Sequence, residues 1–281
     1  MSGSGFLILL LIIANVWVSY KGFSNAAFFE RYKFEVDRIL VDRDYKRLVT
    51  SGFLHVGWTH LIFNMLALLS FSGMVSSSLG MFPFLLIYFA SLIGGGVFSL
   101  LIHRHHGDYS SVGASGAVCG LMFASVALFP GMSMGLFLIP ISLPGWLFAL
   151  LFVLFSIYGI RSQTNNVGYD AHLGGALAGM IVALLLHPSA VAYNLPVILI
   201  ILLPTLVLIY LIVTRPQTLL VDNFFFKTHN DYYSIDHKYN VDRTDQQQEV
   251  DRILEKISRR GMNSLSRKER NTLEDYSKKN R

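Results

Sequence analysis

The sequence predicts an all-α polytopic membrane protein, on three observations. Three blocks lack Asp, Glu, Lys and Arg altogether: Leu48 to Ile102 (55 residues), Tyr109 to Ile160 (52) and Ala171 to Thr214 (44). Charged residues make up 15% of the 281, where a soluble domain carries about 25%. Chain-breaking residues fall near the middle of each block, so each holds two crossings of about 20 residues.

Taken in order, Phe6 to Tyr20 forms the first span. Ser24-Asn-Ala26 resembles a leader-cleavage site, but no Lys or Arg precedes the apolar run, so a retained span is expected. Lys21 to Arg47 is a charged loop rich in aromatics (Phe23, Phe28, Phe29, Tyr32, Phe34, Tyr45), suited to the interfacial zone. The blocks then divide at Ser76 to Gly80 ahead of Pro83, at Pro130-Gly131 with Pro140 and Pro144-Gly145, and at His187-Pro188 with Pro196. Seven spans result. After Arg215 a polar linker leads to 246–260, where Val250, Ile253, Leu254 and Ile257 mark a helical stripe stopped by Gly261. Ser266 with Glu269 caps a second helix carrying Leu273 and Tyr276. The expected organisation is a transmembrane core over 1–190, an added transmembrane helix over 191–214, a polar linker over 215–245 and a soluble helical hairpin over 246–281.

Of the 23 Lys/Arg, 14 follow residue 214, alongside 11 of the 18 Asp/Glu. The net charge of +5 therefore implies no basic surface for nucleic acid. Cys119 is the only cysteine, which rules out an internal disulfide and argues against a thiolate metal site.

Helices of a serial bundle alternate in direction, so the second, fourth and sixth spans begin at one depth. Three polar clusters sit there: His55, His60 and Asn64; Gly113, Ser115 and Gly116; and Gly168 to His172. Gly116, Gly120 and Ala124 make a small-residue face on the fourth span, and Ala171, Gly175 and Gly179 make one on the sixth. If these faces meet, the Ser115 hydroxyl and the His172 imidazole come within hydrogen-bond reach, as nucleophile and base of acyl transfer. His60 and Asn64, spaced i, i+4, share a helical face. With the Ser115 N–H they can stabilise an oxyanion, each donor contributing roughly 3–4 kcal/mol in a dry site. Gly113 and Gly116, flanking the serine, are assigned to the same pocket.

On these motifs the chain resembles the rhomboid family of intramembrane serine proteases. H-x4-H-x3-N is met by His55, His60 and Asn64, G-x-S-G by Gly113 to Gly116, and A-H-x-x-G by Ala171 to Gly175. The likeness covers about residues 6 to 187 and implies a six-helix core, here with a seventh helix and a soluble tail. It further implies a Ser115–His172 dyad without an acidic third member, oxyanion donors at His60 and Asn64, and cleavage of transmembrane protein substrates near a membrane surface. It implies a bacterial inner membrane, lateral substrate entry at the fifth span (Trp146 to Ile160, with Phe148, Phe152 and Phe155), and no metal or cofactor. His55 is expected to brace a loop, Gly175 to pack against the fourth span and Cys119 to lie in the core. The chain departs from the pattern twice. Cys119 stands where many relatives have a tyrosine packed on the catalytic histidine, and Lys46-Arg47 replaces a Trp-Arg pair.

Other readings fit less well. A non-catalytic rhomboid-like protein that binds membrane clients would lack the serine or the histidine. A transporter would show charged or broken helices at midplane. No H-E-x-x-H exists for zinc, and Asp108 and Asp170 flank spans in the wrong order for an aspartyl mechanism. The cluster His103-Arg-His105-His106 reads as a solvated interfacial turn. The first loop carries seven Lys/Arg and the tail fourteen, so the positive-inside rule assigns no sidedness, and the tail's partner is unknown.

Overall fold

The computed structural model describes residues 3–104, 106–129, 131–135, 142–162 and 167–214, with Ile253 and Ile257. Ile253 and Ile257 are helical; the rest of the expected C-terminal hairpin lies outside the described residues. The chain is α-helical and membrane-spanning. Among the described residues five helices are long and apolar enough to cross a bilayer: Gly5–Ser24, Trp58–Leu79, Met81–His103, Tyr169–Leu186 and Ser189–Leu208. The expected fourth and fifth spans are shorter apolar helices, Ser115–Leu128 and Gly145–Ile160.

Helix α1 (Gly3–Ser24) packs on α5 (Trp58–Leu79), which turns at Gly80 into α6 (Met81–His103). Gly80 has φ +90°, and its N–H returns to the Ser76 carbonyl at 3.0 Å, closing α5 as only a residue without Cβ does easily. The loop after α1 is folded into short elements. It forms α2 (Ala26–Tyr32), strand β1 (Phe34–Glu35), α3 (Val36–Leu40) and α4 (Arg47–Thr50). Phe34, Val36 and Ile39 bury a small core there with Leu48, Leu100 and Tyr109. Arg47 is buried, donating to the Asp44 carboxylate at 3.1 Å and to the Glu30 and Lys33 carbonyls at 3.0 and 2.7 Å. One guanidinium thus fastens three points of the loop. Strand β1 pairs antiparallel with β2 (Ser110–Ser111), Phe34 opposite Ser111, which anchors the segment leading into the serine.

Helix α7 (Ser115–Leu128) follows, then a hairpin of β3 (Ser133–Gly135) and β4 (Ser142–Pro144), α8 (Gly145–Ser162), α9 (Tyr169–Leu186) and α10 (Ser189–Thr214). The uncharged block 109–160 spends its start on β2 and its middle on the hairpin, which is why α7 is short. Its 14 residues span about 21 Å against a hydrocarbon thickness of about 30 Å, so at least one end stops inside the membrane. Every residue of α7 after Ser115 is buried. Helix α9 is wedged between α6 and α7, and glycines make both approaches. A methyl on Gly116 would lie 3.2 Å from the Ala171 carbonyl oxygen, and one on Gly175 only 2.7 Å from the Gly116 carbonyl carbon. The two small-residue faces meet. On the other side a methyl on Gly95 of α6 would lie 2.6 Å from the Ala171 oxygen. That contact went unread in the sequence, because a Gly-Gly-Gly run at 94–96 has no direction of its own.

Candidate active site

Ser115 is the first residue of α7, and His172 lies in the first turn of α9. With the helices packed on glycine, the Ser115 Oγ comes to 2.7 Å from His172 Nε2, a short hydrogen bond. Ser115 itself is half-buried. Gly113, at φ +131°, takes the backbone into the helix through a conformation that L side chains rarely adopt. A methyl there would meet His60 Cε1 at 2.9 Å, His60 Nε2 at 3.0 Å and Ser115 Oγ at 3.7 Å. The His60 ring and the serine hydroxyl therefore border one small space, kept open by the absence of a side chain. The Gly113 N–H donates to the Ser51 carbonyl at 3.0 Å, so this glycine contributes room rather than a donor. In α7 the first amide with a helical partner is that of Val118, donating to Ala114, which leaves the Ser115, Gly116 and Ala117 amides outside the helical ladder.

Asn64 is buried one turn below His60, its Nδ2 donating to the His60 carbonyl at 3.0 Å. One amide hydrogen is thereby turned onto its own helix. His55 is fully buried and works as a brace. Its Nε2 accepts from the Ala114 N–H at 3.5 Å, so Nδ1 holds the proton and donates to Ser19 Oγ at 2.8 Å, and Ser19 donates on to the Phe53 carbonyl at 2.9 Å. One neutral imidazole joins α1, the loop before α5 and the residue preceding Ser115. Burial first, then the neighbouring His60 charge, hold His55 down at about 3.

Cys119 is buried in an apolar cluster with Phe123, Leu173 and Ala176, four residues beyond the serine and without a ring to offer His172. The aromatic neighbours of that imidazole come from elsewhere: Phe152 of α8 and Tyr169 of α9, each with ring centroids 6.4 Å away. The histidine turn requires correction. His103 is buried rather than solvated, with Nε2 3.4 Å from Asp170 Oδ2 and its ring stacked on Tyr109 at 3.5 Å. Tyr109 donates to both Asp170 oxygens at 3.1 and 3.2 Å. Burial, then the Asp170 charge and hydrogen bond, push the Tyr109 phenol well above its usual range, so it remains a donor. Sequence reading missed this cluster, which ties α6, the segment before α7 and the first turn of α9 together two residues from His172. A buried aspartate opening an otherwise uncharged span was its one signal. His105 lies outside the described residues, and among those described no group of His, Cys, Asp or Glu is arranged to hold a metal.

Residues 42–189 match the rhomboid domain family, slightly over half of the chain. The chain belongs to the rhomboid family. Relatives include mitochondrial Rhomboid protein 1 of Saccharomyces cerevisiae, 32% identical over 157 residues, covering 53% of this chain and 45% of that one. Mitochondrial RHOMBOID-like protein 12 of Arabidopsis thaliana is 29% identical over 193 residues, covering 62% and 56%. Rhomboid protease GluP of Bacillus subtilis is 32% identical over 158 residues, covering 56% and 29%. The aligned part is thus about half, or less, of these relatives' length. Residues 233–279 match a separate family of unknown function. The rhomboid match begins at residue 42, so Ser19 and the α1 brace behind His55 fall outside it.

Proposed function

We propose that this rhomboid is an intramembrane serine protease whose nucleophile is Ser115 and whose general base is His172. The observation that carries the reading is the 2.7 Å contact between Ser115 Oγ and His172 Nε2 inside an apolar helix bundle. With its proton on Nδ1, the imidazole accepts the Ser115 proton at Nε2 as Oγ attacks the scissile carbonyl carbon. The resulting oxyanion falls to the Ser115 and Gly116 amides at the start of α7, where the helix dipole also favours negative charge, and to His60 across the gap at Gly113. Asn64 contributes its remaining amide hydrogen. As the tetrahedral intermediate collapses, the C–N bond breaks and the imidazolium returns its proton to the departing amine. Water, deprotonated by His172, then hydrolyses the acyl-serine.

The substrates in this reading are transmembrane segments of other proteins, entering beside α8, whose Phe155 faces outward and whose Phe152 borders His172. The tail beyond Thr214 is a separate module, and the membrane is the bacterial inner membrane, to be checked by fractionating the native host. The dyad is tested with a fluorophosphonate probe and a transmembrane reporter. Wild type should be labelled at Ser115 and cleave the reporter, and Ser115→Ala should do neither. Reporter cleavage by purified Ser115→Ala would refute the assignment.

A further inference from the structure

The rhomboid match ends at residue 189, where α10 begins, so the family likeness says nothing of how this seventh helix relates to the site. The structure does. Helix α7 needs hydrogen-bond donors for its last carbonyls, since the final turn of any helix leaves them unpaired. The N–H four places beyond Val126 would belong to residue 130, which is proline and has none. Across the bundle, Asn194 of α10 points its amide at this deficit: Nδ2 donates to the Val126 carbonyl at 3.0 Å and to the Ala127 carbonyl at 2.7 Å. Two acceptors fix the orientation of the amide, because only the NH2 end can satisfy both. The side chain is 1% exposed.

Helix α10 is broken to allow this. Asn194 has φ −122° and ψ 15°, off the helical values, two residues before Pro196, which has no N–H and removes one rung of the ladder. Below the break, Ile201 and Leu208 of α10 share one apolar core with Ala149, Val153 and Ile160 of α8 and with Phe123 and Val126 of α7. Thus α10 grips the far end of the serine's helix with one residue and leans on α8 along the turns that follow.

We infer that Asn194 is a positioning residue for the proposed reaction: by capping α7 from α10, it sets the axial placement of the helix that presents Ser115. This rests on Ser115 being the nucleophile. A rigid 14-residue helix transmits a shift at its base to its first residue, and a displacement near 1 Å costs on the order of a hundredfold in rate.

The test uses the full chain in detergent, at a temperature where circular dichroism shows wild-type helicity, and reads the rate of fluorophosphonate labelling together with kcat and KM on a transmembrane reporter. Asn194→Leu keeps the branched outline and the number of heavy atoms and loses both donors. Asn194→Asp keeps the shape but has at most one hydrogen to give where two carbonyls need one each. Asn194→Gln keeps the NH2. Leu and Asp should slow labelling by on the order of tenfold or more and lower kcat with little change in KM, while Gln stays near wild type. Should the Leu variant not fold, Asp against Gln gives the same comparison. Labelling at the wild-type rate in folded Leu or Asp variants would overturn the inference, as would equal losses in Asp and Gln. If wild type itself is neither labelled nor active, the reading of the dyad falls and the inference with it; if wild type reacts and the variants match it, only the inference falls.

Discussion

The approach of α7 to α9 is so close that a single methyl group should be felt at the dyad. In Gly175→Ala the new carbon would sit 2.7 Å from the Gly116 carbonyl carbon and 2.9 Å from its Cα. Carbon atoms prefer about 3.5–4.0 Å, so the two backbones must part by about 1 Å, and neither is a flexible side-chain end that can swing aside. Overpacking of this kind costs about 1–3 kcal/mol, and contact with backbone puts it at the upper end. The gain of about 1 kcal/mol from replacing a helical glycine offsets part of this, leaving about 2 kcal/mol, or a fall of about 4–8 °C in melting temperature. A separation of about 1 Å would also stretch the 2.7 Å Ser115–His172 contact beyond hydrogen-bond range, costing on the order of a hundredfold in turnover. Gly73→Ala is the control. Nothing lies within 4 Å of that position in α5, so alanine there should be neutral or stabilising by about 0.5–1 kcal/mol. Melting curves and reporter cleavage, run on both variants in one detergent, decide the matter. If Gly175→Ala behaves like Gly73→Ala in both assays, the close packing of α7 and α9 does not position the dyad.

Ser115→Ala and His172→Ala should each abolish reporter cleavage, and the double variant should be no worse than either, as the proposed dyad requires; additive losses would separate them. His60→Ala and Asn64→Ala should lower kcat with KM nearly unchanged, by up to roughly 10²–10³ for a donor carrying the full effect, and by less at Asn64, whose amide is half committed to the His60 carbonyl; losses that merely follow melting temperature would remove them from the oxyanion pocket. His55 sits at about 3 in the folded protein, below its ordinary 6.5, so the unfolded chain binds a proton that the folded one refuses. Stability should therefore hold steady above about pH 6.5 and fall by up to about 1.4 kcal/mol per unit as pH drops toward about 3. His55→Gln should be less stable near neutrality and flatten the part of the acid slope that His55 contributes; melting curves from pH 7 to 5 that show the same slope for both proteins would refute the brace.

Much of this molecule is legible in its sequence because hydrocarbon is an unforgiving solvent. Charge cannot be left in it unpaired, so the uncharged blocks delimit the spans, and strict alternation of direction places His60, Ser115 and His172 at one depth without any knowledge of packing. Small residues at four-residue spacing likewise announced the faces of α7 and α9, since close approach of two helices demands them. Other features had no such local rule behind them. That α7 is short, that Gly113 spends its N–H on Ser51 and that Phe152 reaches His172 follow only once the helices are assembled. Asp170 finds Tyr109 across 61 residues and Asn194 finds Ala127 across 67. Each is a polar side chain meeting a partner on a segment far away in the chain. Periodicity encodes which face of a helix is buried, but not which buried atom lacks a partner, and that deficit is resolved only when another segment brings one within hydrogen-bond distance.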